Sequence, residues 1–89
     1  MNYSDSGKQF LDILIENLSS SNTFNTASFW SKKLLPYSKF TKNQINAIAD
    51  AFIHNSQIYG SFYAQPTIMQ ILRDNQKLID PDLKKYLEF

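Results

Sequence analysis

Apolar side chains recur at three- and four-residue spacing along most of this chain, the period of a helix with one buried stripe. In the first such stretch Phe10, Leu14 and Leu18 fall at intervals of four. Leu11 and Ile15 share their stripe, and Asp12 and Glu16 lie on the other side. The pattern predicts a first helix from about Gly7 to Leu18, opened by a capping box of Ser6 and Gln9, with residues 1–5 as a disordered tail. The run Ser19-Ser20-Ser21-Asn22-Thr23 breaks it, because short hydroxyl and amide side chains compete for backbone hydrogen bonds. A second helix is expected from Thr26 to Leu35 on Ala27, Trp30 and Leu34, stopped by Pro36.

Thr41 and Gln44 form another capping-box pair. Ile45, Ile48, Ala49, Phe52 and Ile53 then give the cleanest helical period in the chain, placing a third helix at 42–57. Gly60 is its expected left-handed stop. Pro66 suits the first turn of a fourth helix at about 66–76, carried by Ile68, Ile71 and Leu72. Asp80-Pro81 starts a short last helix with Leu83, Tyr86 and Leu87. The expected fold is all-α, a compact antiparallel bundle of four to five short helices in one domain spanning 1–89. Its expected core is Phe10, Leu14, Leu18, Trp30, Leu34, Ile45, Ile48, Phe52, Ile68, Ile71, Leu72, Leu83 and Leu87.

Composition narrows the chemistry. With no cysteine, disulfides and thiolate catalysis or metal binding are excluded. The single histidine, His54, leaves no zinc-ligand spacing, and two glycines cannot build a phosphate-cradling loop. His54 reads as a half-exposed residue near a helix end, at the edge of the apolar stripe. No apolar run approaches the ~18 residues of a membrane span, and the N-terminus shows no secretion signal, so a cytoplasmic location is expected. Lysine supplies eight of the nine basic residues, and asparagine, isoleucine and phenylalanine are plentiful, a bias that suggests AT-rich bacterial coding. No cofactor is expected and no enzyme activity, because nothing such as a nucleophile elbow joins His54 to a serine.

The net charge of +1 is unevenly laid out. Residues 1–30 set Lys8 against Asp5, Asp12 and Glu16. Residues 31–49 hold Lys32, Lys33, Lys39 and Lys42 with no acid, and residues 50–89 are mildly acidic. Three surfaces follow as candidates. Asp12 and Glu16, four apart on one helix, would meet a basic partner. The segment 55–63, read as a turn carrying Gln57, Tyr59, Phe62 and Tyr63, offers rigid aromatic anchors of the kind that interfaces favour. Lys32, Lys33, Lys39 and Lys42, interleaved with Trp30, Tyr37 and Phe40, combine phosphate-neutralising and base-stacking side chains and so suit nucleic acid.

The unit Thr41–Leu72 resembles a HEAT-like helical hairpin, with a capped helix, a polar-aromatic turn holding Asn55-Ser56-Gln57-Ile58, and a second helix opened by proline. The whole chain resembles the small helical immunity proteins of bacterial toxin systems. That resemblance implies stoichiometric binding of a cognate toxin and occlusion of its active or docking surface. The leading expectation is therefore a protein-binding immunity protein or antitoxin that has no membrane contact. A nucleic-acid-binding regulator using Lys32, Lys33, Lys39 and Lys42 is the alternative, and the oligomeric state is left open.

Overall fold

The computed structural model describes residues 3–59 and 66–87, and every regular element among them is helical. They are α1 (Tyr3–Ser19), α2 (Phe24–Lys33), α3 (Lys42–Tyr59), α4 (Pro66–Asp74), a 3₁₀ turn (Gln76–Leu78) and α5 (Pro81–Lys84). The principal extents are 40 × 28 × 17 Å. The thin dimension accommodates two layers of helices, whose axes pack about 8–10 Å apart.

α1 begins at Tyr3 rather than Gly7, so residues 3–5 belong to the helix and Ser6 lies inside it instead of capping it. No proline or glycine falls between residues 3 and 6 to stop the helix a turn sooner. The serine run does end it, by a specific mechanism. Ser19 Oγ donates to the Ile15 carbonyl at 2.9 Å, Ser20 Oγ to Glu16 at 3.2 Å and Ser21 Oγ to Asn17 at 2.9 Å. Of these acceptors only the Asn17 carbonyl is left without an amide partner, because the Ser21 amide turns to Leu18; the Glu16 carbonyl also accepts the Ser20 amide at 3.1 Å, so there the hydroxyl adds a second bond.

α2 starts two residues earlier than the apolar pattern suggests because Thr23 is a cap rather than a breaker. The Thr26 amide donates to Thr23 Oγ1 at 3.2 Å, and the Thr23 amide donates back to Thr26 Oγ1 at the same distance. The helix closes at Lys33, and Leu34–Pro36 form a turn in which the Tyr37 amide donates to the Leu34 carbonyl. The capping box of Thr41 and Gln44 is formed: the Gln44 amide donates to Thr41 Oγ1 at 3.1 Å, and the Thr41 amide to Gln44 Oε1 at 2.9 Å. α3 runs on to Tyr59, so Asn55 to Tyr59 are helical rather than part of a turn.

The core joins Leu11, Leu14, Ile15 and Leu18 of α1 to Ala27 and Leu34, to Ile45, Ile48 and Ala49 of α3, and to Ile68, Ile71 and Leu72 of α4. Ile79 and Leu87 close it, while Trp30, Phe52 and Leu83 pack at its margin. Phe10 is 54% exposed and lies outside it. A spacing of four overshoots a helical turn by about 40° each time, which puts Phe10 roughly 90° from the centre of the stripe defined by Leu11, Leu14, Ile15 and Leu18.

Three side chains then fix the helices against one another through four hydrogen bonds. Gln44 Nε2 donates to Asp12 Oδ1 at 3.0 Å, and Asn55 Nδ2 donates to the Ser19 carbonyl at 3.0 Å. Both bonds join residues in the same order along the two helices, so α1 and α3 run in the same direction, as the first and third helices of an up-down-up bundle do. Asn46 makes the third tie. Its Nδ2 donates to the Leu78 carbonyl at 3.0 Å, and its Oδ1 accepts from the Asp80 amide at 2.8 Å.

Candidate partner-binding cleft

Because α1 and α3 lie side by side and parallel, residues far apart in sequence line one groove. Asp12, Ile15, Glu16 and Ser19 form its α1 wall; Thr41, Asn43, Gln44 and Ala47 form the other, around a volume of about 390 Å³. Asp12 and Glu16, one helical turn apart, present both carboxylates along the first wall. The second wall is polar and stiff. Gln44 is only 5% exposed, and its amide group is held at both ends, by the Thr41 amide on Oε1 and by Asp12 on Nε2. Asp12 is therefore aimed before any partner arrives. Among the described side chains, neither carboxylate meets a lysine or arginine within ion-pairing distance.

Of the second predicted surface only Gln57 has a described side chain, and it is not brought to this groove. Gln57 is exposed on α3, but it follows Asn55 by two residues, which turns it about 200° away from the side that reaches α1. Tyr59 is the last residue of α3, and its side chain lies outside what the structure describes; Phe62 and Tyr63 lie outside the described residues altogether. His54 is exposed on α3.

The basic segment is divided. Lys32 and Lys33 are exposed in the last turn of α2, where cations favour the negative end of the helix dipole. Lys33 Nζ lies 5.0 Å from the centre of the Phe29 ring. Lys39 is exposed on the connector, and Lys42 opens α3 with its Nζ 3.4 Å from Asp80 Oδ1. Asp80 precedes α5 but makes no capping hydrogen bond with its side chain; the charge contact with Lys42 takes that place.

Sequence reasoning missed the amide wall and the Phe29–Lys33 pair. Gln44 was legible as a cap but not as the residue that aims Asp12, since that bond spans 32 positions. The Phe29–Lys33 contact did have a local signal, a spacing of four along one helix.

Among the described residues no group of three His, Asp or Glu side chains is placed to hold a metal ion, and no helix is long and apolar enough to cross a membrane. No protein-family model matches this chain, nor does any curated protein or solved structure.

Proposed function

We propose that this chain is a protein-binding module that neutralises a partner protein by stoichiometric binding, in the manner of a bacterial immunity protein or antitoxin acting in the cytoplasm. The observation that carries the reading is the α1–α3 cleft, in which Asp12 and Glu16 share one wall and Gln44 fixes the other. Two carboxylates beside an amide rim suit a lysine or arginine side chain from the partner, since charge-assisted hydrogen bonds are shorter and stronger than neutral ones. The cleft is also organised in advance. Gln44 is buried and doubly bonded, so less side-chain entropy is lost when a partner docks. On this reading no residue is catalytic, and the work is done by a surface.

The test is affinity capture from the source cells with two baits, the wild-type chain and Glu16→Lys, each checked for unchanged helical circular dichroism. Glu16 suits the purpose because only its backbone carbonyl, not its carboxylate, takes part in the hydrogen bonds described. The wild-type bait should retain one protein in near-equimolar amount, and Glu16→Lys should lose it by at least about tenfold, the cost of placing like charges together in an interface. Should that protein be a toxin, coexpression of the wild type, and not of Glu16→Lys, restores growth. Equal recovery of the same protein by both baits removes the cleft from the account.

A further inference from the structure

The exposed face of α2 is not used by the cleft, and it carries a second, opposite chemistry. Asn25, Ser28, Phe29, Lys32 and Lys33 line a shallow hollow of about 470 Å³ that shares no residue with the cleft. Their positions, i, i+3, i+4, i+7 and i+8, place all five on one side of the helix over about 12 Å of its length. Phe29 is a large apolar ring left 52% exposed, yet it is not loosely held. Trp30, packed against the core, meets it edge-to-face with ring centres 5.0 Å apart and planes at 88°. Lys33 Nζ stands 5.0 Å from the ring centre. Among the described residues neither Lys32 nor Lys33 has a carboxylate partner, and residues 31–49 contain no acid that could supply one nearby in sequence.

We propose that this face of α2 binds single-stranded nucleic acid, with Lys32 and Lys33 on successive phosphates and a base against Phe29. Charge complementarity selects a polyanion, and the positioned ring beside the ammonium groups selects one that carries planar bases. Asn25 and Ser28 add neutral hydrogen-bonding groups at the other end of the same stripe, suited to sugar and phosphate oxygens. Lys42 takes no part, being paired with Asp80. This narrows the basic run of the sequence to the last turns of α2.

The experiment is fluorescence anisotropy of a labelled twelve-residue oligothymidylate titrated with the full chain. With two phosphates neutralised, log K should fall against log salt with a slope of about −1.4, roughly a sevenfold loss between 50 and 200 mM salt. Lys32→Ala with Lys33→Ala should abolish most binding and flatten that slope. Phe29→Ala should weaken binding by roughly 5- to 150-fold while leaving the slope in place, the signature of a lost stack rather than a lost charge. Lys84→Ala, on α5, should change nothing. All four substitutions are at exposed or half-exposed positions, so a folded protein is expected and circular dichroism verifies it. The proposal is overturned if no complex forms at 50 mM salt. It is also overturned if Phe29→Ala binds as the wild type does, or if polyglutamate competes as well as the oligonucleotide, which would mark a site for acidic protein instead.

Discussion

Replacing Asn46 with alanine should cost this protein a large part of its stability, although Asn46 lies on no apolar stripe and contributes nothing to the core. Its side chain ties α3 to the segment before α5 through two bonds that span 32 and 34 positions: the donation to the Leu78 carbonyl and the acceptance from the Asp80 amide. A third bond, to the Lys42 carbonyl at 2.8 Å, is local and exposed. Each long-range bond is worth about 0.5–1.5 kcal/mol net. Truncation also strands two partly buried backbone groups at about 1–3 kcal/mol each if water is shut out. The site is only half-buried, so water recovers part of that cost, and a net loss of about 2 kcal/mol follows. For a domain of this size that corresponds to a fall in Tm of roughly 8–16 °C. Urea titration followed by helical circular dichroism measures it as a shift of midpoint at constant slope. Asn46→Asp is the discriminating companion. It keeps the acceptor for the Asp80 amide but loses both donors, so it should fall between wild type and Asn46→Ala. Asn43→Ala, exposed nearby on the same helix, should stay within about 0.5 kcal/mol of wild type. The reasoning is refuted if Asn46→Ala is as stable as Asn43→Ala.

Three further outcomes are expected. Phe10→Ala should cost under about 1 kcal/mol, whereas Leu11→Ala, one position on and almost fully buried, should cost about 2–5 kcal/mol; thermal melts of the pair decide which residue faces the core. Thr41→Ala should destabilise by about 1 kcal/mol through loss of the α3 cap, and Thr23→Ala should do the same at α2, both read by chemical denaturation. Lys42→Ala should cost no more than about 1 kcal/mol, with the difference shrinking in high salt, because its ion pair with Asp80 is exposed.

The parts of this fold that were legible in the sequence are those whose cause is local. The α3 cap is carried by Thr41 and Gln44, three residues apart, and Pro66 and Pro81 mark the starts of α4 and α5 by fixing their own backbone. The errors arise where a local rule has two outcomes. Thr23 reads equally well as the end of a polar linker or as a cap, and only its reciprocal bonds with Thr26 settle which. Phe10 satisfies a spacing of four from Leu14, but the stripe is centred elsewhere once Leu11 and Ile15 are buried. Ile79 carries no periodic signal, since it follows a 3₁₀ turn, yet it is buried by the packing of that segment onto α3.

The site was legible in its ingredients only. The spacing of Asp12 and Glu16 shows that they share a helix face, but the opposite wall comes from Thr41, Asn43, Gln44 and Ala47, and nothing in the chain order announces that α1 and α3 lie together. In sequence the four lysines form one basic run, whereas the fold pairs Lys42 with Asp80, an acid 38 positions away, and leaves Lys32 and Lys33 beside Phe29. Charge runs in sequence become surfaces only after tertiary partners have taken their share.

Calorimetric titration of the captured partner with the purified chain is the most direct measurement of the central claim, that this protein works by occupying a partner through the α1–α3 cleft. One chain should bind per partner molecule, the partner's activity should fall in step with occupancy, and Glu16→Lys should show no heat under the same conditions. Loss of that activity at far less than one equivalent, or unchanged binding by Glu16→Lys, would contradict it.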